Sequence, residues 1–223
     1  LICATPFIYK KFSKINKNTY CVRNFPPSNE FHTHKLSNSV DEEIFKILYV
    51  GVISEERSII KILDAIKDVD CEFILAGNFS PLSLKESVQK HYSWQKVRYL
   101  GFVNRKEFSI LMNEADLGIL LFQPQKAHID SLPNKMFEYM AGGLYQLSSN
   151  FDEWKNIIET NNIGVTIDPL DTNELSNQIN KLKRNKKTIN ELRQKIIDTF
   201  MSGYTWEIER IEFLKAFNVH EKN

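Results

Sequence analysis

Residues 128–143 read HIDSLPNKMFEYMAGG and set two carboxylates, Asp130 and Glu138, on either side of a proline and a lysine. Pro133 favours a helix beginning about there, because a proline in the first turn forfeits no bonded N–H, and Ser131 can cap it. From that start Met136, Phe137, Met140 and Ala141 share a side suited to burial, while Asn134, Lys135 and Glu138 share the other. The polar side offers unpaired amides at a helix N-terminus, a cation in the first turn and a carboxylate one turn on. Such an N-terminus carries about half a positive charge, so a phosphate suits it. A carboxylate roughly 5 Å further along by helix rise suits the vicinal hydroxyls of a ribose. A plain surface pair between Lys135 and Glu138, worth roughly 0.3 kcal/mol, satisfies the same spacing.

Other segments carry weaker chemistry. YVGVISEERSI, residues 49–59, reads as strand, glycine, polar loop and helix. Gly51 lets backbone approach a ligand at a strand end, and Arg57 can offer a fork of donors to a phosphate; many solvated βα turns look the same. The pattern is neither a P-loop nor a G-x-G-x-x-G, which argues against ordinary NTPase and NAD chemistry. AGNFS and GFVNRKE each close a strand with glycine, and Phe102 and Val103 fit the edge of a flat base or the edge of a core. His128 and Asp130, just ahead of the helix, place a donor and an acceptor where a sugar could meet them. His32 and His34 form an H-x-H with no third ligand in view, so no metal is expected. The basic run KLKRNKK, residues 181–187, reads as a solvated helix end, with a peripheral membrane contact as the weaker alternative.

The elements that must position these residues are legible from Ile44 onward. IFKILYVGV, CEFILAG, VRYLGFV, LGILLF, LYQLSS and IGVTI are strand-like runs. Between them EERSIIKILDAIKDV, SLKESVQKHY, RKEFSILMNEA, NKMFEYMAGG and FDEWKNIIET show helical periodicity. The alternation predicts an α/β fold, a doubly wound parallel sheet covered on both faces, with ligands beyond the carboxyl ends of the strands. Residues 1–42 stand apart: ICAT, PFIYKKFSK and TYCVR form a small β-α-β piece, and NFPPSNEFHTHKLSNSVDEE reads as a polar linker. After residue 170, DTNELSNQINKLKRN, KKTINELRQKIIDTFMS and TWEIERIEFLKAF are three helical segments without intervening strands.

The 42% apolar content of 223 residues supplies a substantial core, and 29 basic against 28 acidic residues give no overall field for nucleic acid. Cys3, Cys21 and Cys71 lack ligand spacing and suit buried thiols in a reducing cytoplasm. LGILLF is the longest apolar run, far short of the roughly 20 residues a membrane helix needs. The opening LICAT reads like the middle of a folded protein, which suggests a fragment.

In order, YVGVISEERSI, FILAG, YLGFV, ADLGILLF, SLPNKMFEYMAGG and the late TWEIE resemble the C-terminal, donor-binding domain of GT-B glycosyltransferases of the group 1, or family 4, type. The PNKMFEYMA block is the specific part, and the resemblance covers about residues 43–218. It implies a Rossmann-like donor domain over residues 43–200. It also implies the end of an acceptor-side N-terminal domain over 1–42, and a helix in 201–223 that can cross back to that domain. Arg57 stands where the family keeps a basic residue on the donor diphosphate, beside Gly51. Glu138 stands at the second position of an E-x7-E motif similar to a ribose clamp, and Asp130 at the first, which contacts the donor sugar. Ser131, Leu132, Asn134 and Lys135 would surround the phosphates, His128 the sugar, and Phe102 and Val103 the base; Asp130, Glu138 and Arg57 would be the catalytic set.

Three positions depart from the pattern: Asp130 is one methylene short, Val52 replaces a common arginine, and Gly143-Leu144-Tyr145 replaces Gly-Leu-Pro. The implied activity is retaining transfer of a hexose from a nucleoside-diphosphate sugar to a glycan or lipid-linked acceptor, as in surface polysaccharide assembly. No cofactor or metal is implied beyond the nucleotide-sugar co-substrate. The implied place is the cytoplasm or the inner membrane face, and the isolated chain would bind donor without efficient transfer. A nucleotide-sugar epimerase of related fold and a non-catalytic nucleotide-binding module are the alternatives.

Overall fold

Successive strand residues point to opposite faces, and the central strands are apolar on both, so each sheet face acquires its own core. In the computed structural model, which describes residues 1–31 and 44–218, Ile47 and Tyr49 enter one core and Leu48 the other. Phe73 and Leu75 oppose Ile74, and Ile119 and Leu121 oppose Leu120, in the same way. The strands are β1 (Ile2–Cys3), β2 (Tyr20–Cys21), β3 (Phe45–Val50), β4 (Cys71–Ala76), β5 (Val97–Gly101), β6 (Leu117–Leu120), β7 (Gln146–Ser149) and β8 (Gly164–Ile167). β3 to β8 form a six-stranded, all-parallel sheet in the order β5-β4-β3-β6-β7-β8. The order reverses between β3 and β6, which makes the loops after those two strands the switch point.

The helices are α1 (Pro6–Phe12), α2 (Ile59–Ala65), α3 (Leu84–Gln89), α4 (Arg105–Glu114), α5 (Lys126–Ile129), α6 (Asn134–Ala141), α7 (Asp152–Thr160), α8 (Thr172–Arg184), α9 (Lys186–Glu191), α10 (Arg193–Gly203) and α11 (Trp206–Asn218). α2, α3 and α8 cover one face through Ile59, Leu63, Val88, Leu175 and Ile179. α4, α6, α7 and α10 cover the other through Met112, Phe137, Trp154 and Phe200.

Several expectations need correction. The helix expected to run from Glu55 is interrupted at Ser58, whose left-handed φ of 56° separates a 3-10 turn over Glu55–Arg57 from α2. The run KKTINELRQKIIDTFMS is two helices separated at Leu192, and Arg193 at the start of the second turns inward and donates to the carbonyls of Met112 and Ala115. The start of the expected polar linker is packed: Phe25 and Phe31 are buried in the second core, and Phe25 lies 4.4 Å from Phe137 between ring centroids. His32 and His34, with the rest of that segment to residue 43, lie outside the described residues.

The small β-α-β piece is present as β1, α1 and β2, with β1 and β2 parallel. α11 lies against it: Glu209, 3% exposed, takes Arg23 at 2.5 Å, and Pro26 accepts the Trp206 N–H. Cys3 and Cys71 are buried, but Cys21 is half-buried, opposite Cys3 in the strand register. Burial pushes the Cys71 thiol up to about 11. Part of the basic run is folded against the domain, through Lys183 to Asp70 at 2.9 Å and Lys186 to Asp116 at 3.1 Å. Among the described residues no helix is long and apolar enough to cross a membrane.

Candidate functional site

The carboxyl ends of β3, β4 and β5 are joined side by side through their terminal glycines. The Gly51 N–H donates to Ala76 O at 3.0 Å and the Gly77 N–H to Gly101 O at 2.6 Å. Gly77 has a φ of 137°, and a Cβ there would stand 1.7 Å from Gly51 O, so only glycine lets the two strand ends approach this closely. The Tyr49 hydroxyl donates to Val52 O at 2.5 Å and pins the loop beyond Gly51; burial raises that phenol well above its ordinary value.

Above this floor lies a cleft with two lobes. One, of about 430 Å³, is bordered by Gly77, Asn78, Phe102, Val103 and Arg105. The other, of about 390 Å³, is bordered by Arg57, Phe122, His128, Ser131, Leu132 and Asn134. Val50, Gly51, Val52 and Lys135 belong to both and divide them. Phe102 is 76% exposed at the lip, while Val103 is packed against the second core. The cleft therefore gathers Gly51, Arg57, Phe102, Val103, His128, Ser131, Leu132, Asn134 and Lys135. Asp130 and Glu138 line neither lobe.

Arg57 ends the 3-10 turn with its guanidinium 3.4 Å from the Phe122 ring centroid, and its buried Nη1 has no hydrogen-bond partner. Burial lowers its pKa, against the opposing pull of Tyr49 and Glu56, as expected for a cation partly withdrawn from water. His128 approaches the same Phe122 ring edge-on at 5.0 Å. Its Nδ1 lies 2.9 Å from Gln123 O, and since a carbonyl only accepts, Nδ1 carries the proton and Nε2 is left for the lobe. Gln123 also bonds the carbonyls of Glu55 and Glu56, which ties the loop after β6 to the turn bearing Arg57.

The residues before α6 do not cap it as expected. Pro133 is the N-cap residue, in extended conformation, and Ser131 Oγ donates back to His128 O at 2.8 Å. Trp154 Nε1 donates to Ser131 O at 2.6 Å and fixes that turn from behind. The first amides of α6 therefore keep no side-chain cap at the edge of the cleft.

Glu138 departs most from expectation. It was placed on an open polar face, yet it is 2% exposed. Arg105 Nη1 donates to one of its carboxylate oxygens and Lys135 Nζ to the other. Arg105 is also held by Glu30 at 3.0 Å, and the charge and hydrogen bonds of Glu138, with Glu30, raise its pKa although burial opposes this. Arg105 was passed over because the local sequence NRKE signals a capping box, which Asn104 and Glu107 do form. Its reach across 33 residues to Glu138 has no local signature. Phe122 and Gln123 were also missed; the first reads simply as the last apolar residue of a strand.

A parallel sheet in this order, covered by helices on both faces and with a glycine-floored basic cleft at its switch point, defines a Rossmann-like α/β domain of the GT-B type. The chain belongs to the group 1 glycosyl transferases, whose family model matches residues 31–199. No curated protein matches it. Among solved structures it resembles sucrose-phosphate synthase from Thermosynechococcus elongatus, with a TM-score of 0.81 and 15% identity over 99% of this chain and 58% of that one. A glycosyltransferase from Rickettsia africae matches with a TM-score of 0.83 and 12% identity over 100% and 63%. Anabaena HepE, in complex with UDP and glucose, matches with a TM-score of 0.81 and 14% identity over 97% and 62%. The chain thus spans about three fifths of the length of these structures, and at such identities the likeness concerns the fold.

Proposed function

We propose that this chain provides the donor-binding part of a retaining hexosyltransferase that moves a sugar from a nucleoside diphosphate to a glycan or lipid-linked acceptor. The observation that carries the reading is the Arg57 lobe. A guanidinium with a buried, unpartnered nitrogen stands near the uncapped start of α6, at the switch point of the sheet. Cation, helix N-terminus and half-enclosed cleft together favour a diphosphate, and they stabilise the same charge as it develops on a departing diphosphate. The other lobe, with Phe102 and Val103 at its edge and a glycine floor, has the flat apolar character a base requires. HepE, a structural neighbour, was crystallised with UDP and glucose, which agrees with this ligand class.

Lys135 lies between the lobes and, though paired with Glu138, reaches the cleft as a second cation. Asp130 closes α5 two residues beyond His128 and joins the site only if the donor sugar extends past the described lobes. Because about two fifths of each solved neighbour lies outside the part this chain matches, acceptor recognition and completion of the active site are assigned to sequence beyond this one. The chain alone is then expected to bind donor and to transfer poorly. The cytoplasm or the inner membrane face is the setting in which such donors are used.

The test is a thermal-shift panel of UDP, GDP, ADP and their sugars. Saturation at about 100 times the dissociation constant adds about 2.7 kcal/mol, a rise of a few degrees. No shift with any of them, or a shift that survives both Arg57→Ala and Glu138→Ala unchanged, would sink the assignment.

A further inference from the structure

Glu138 has a full set of partners before any ligand arrives. Both carboxylate oxygens accept from cations, and the carboxylate is sealed from the cleft by the two side chains that bind it. The two covers are not equivalent. Lys135 comes from the same helix, is 27% exposed and lies 4.8 Å from the Phe108 ring centroid, whereas Arg105 comes from a different helix, is 57% exposed and lies 5.6 Å from the Phe31 ring centroid. Arg105 also has a second anchor, Glu30, through Nε at 3.0 Å, so it can leave Glu138 and remain paired. Lys135 is thus tied to the helix that carries Glu138, while Arg105 reaches in from outside and has an alternative partner.

We propose that Arg105 competes with ligand hydroxyls for Glu138 and thereby sets how strongly the site favours a ribose over a sugar lacking those hydroxyls. The proposal rests on the nucleotide reading given above. A ribose hydroxyl reaching Glu138 must take over the position of the Arg105 guanidinium, so part of the new hydrogen bond replaces an old one. A nucleotide without ribose hydroxyls leaves Arg105 in place and neither gains nor loses by its presence. The wild-type site therefore discriminates less than an uncovered carboxylate would.

The experiment is isothermal titration of wild type, Arg105→Ala and Arg105→Lys with UDP, GDP and ADP and with their 2′,3′-dideoxy counterparts. Removing a partly exposed, charge-assisted competitor is expected to tighten ribonucleotide binding roughly three- to tenfold in Arg105→Ala. The dideoxynucleotides stay within about twofold, and Arg105→Lys, a cation without the two-pronged reach, falls between. Ribonucleotide affinity that is unchanged or weaker in Arg105→Ala overturns the competition while leaving the nucleotide reading intact. A gain shared equally by the dideoxy ligands also overturns it, since the effect would then not pass through ribose hydroxyls. Failure of every nucleotide to bind wild type and variants alike overturns the nucleotide reading, and the competition with it.

Discussion

Two clusters of buried charge sit at opposite ends of the same sheet, and their hydrogen bonding separates scaffold from site. At the amino ends, Asp116 accepts from the Lys46 N–H at 2.8 Å and Asn190 Nδ2 at 2.9 Å and pairs with Lys186 at 3.1 Å. Beside it Arg193, 7% exposed, donates to Met112 O and Ala115 O; burial lowers its pKa and Asp116 offsets part of that. At the carboxyl ends, Arg57 has a buried nitrogen with no partner, Lys135 reaches into both lobes, and Arg105 is half out in solvent. In the first, donors go to backbone and to Asp116 and fix helices to strands. In the second, Arg105 and Lys135 are paired with Glu138, but Arg57 keeps a buried donor unspent beside open space. A buried polar group without a partner is costly, so the unpaired Arg57 nitrogen beside the cleft supports the ligand position proposed above.

That contrast breaks first at Arg193. Arg193→Ala strands two buried carbonyls and leaves Asp116 with one fewer counter-charge, so it is expected to lower unfolding stability by about 3–5 kcal/mol in urea titration. Nucleotide affinity of the protein that remains folded should stay within about twofold. A loss of stability below about 1 kcal/mol would mean the amino-end cluster is no more structural than the cleft.

Arg57 is the converse. Arg57→Ala removes a cation that rests over the Phe122 face and has a buried nitrogen without a hydrogen-bond partner, so stability should change by less than about 1 kcal/mol. Loss of its charge-assisted bonds to a diphosphate is expected to weaken binding by about ten- to a hundredfold in titration calorimetry. Equal losses of stability and affinity would erase the distinction between the two ends.

The sheet and most of the cleft lining are legible in the sequence because both rest on local pattern. Apolar runs ending in Gly51, Gly77 and Gly101 mark strand ends, and in a doubly wound sheet strand ends are where loops converge. Arg57, His128 and Lys135 needed nothing more to be placed near one another. Glu138 was misplaced because helix spacing assigns a residue to a face but cannot say what packs on that face. Arg105, from the next helix over, turned an apparently open side into a closed one. The breaks at Ser58 and Leu192 are not legible in the sequence, since apolar periodicity continues through both.

The smallest expected effect tests whether the amino end is structural beyond Asp116. Glu114 takes Arg98 at 2.6 Å and Lys46 at 3.2 Å, and Arg98 also reaches Glu72 at 3.1 Å. These basic and acidic residues from β3, β4 and β5 form a ring around the C-terminus of α4. Burial alone would raise the Glu114 carboxyl, but hydrogen bonds and charge from Arg98 and Lys46 bring it below its ordinary value. A carboxyl lowered in the folded state stabilises above its unfolded value and loses that contribution as pH falls through the folded one. Because these side chains are half-buried and solvent screens part of their charge, Glu114→Gln should cost about 1 kcal/mol at pH 7. The gap to wild type should close as pH drops below the ordinary glutamate range near about 4.3, with donor affinity unmoved at neutral pH. A gap that persists unchanged at pH 3 in urea unfolding would assign Glu114 a packing role. A loss of nucleotide affinity at pH 7 would instead show that charge at the amino ends is felt across the sheet, and the two clusters would no longer be separable.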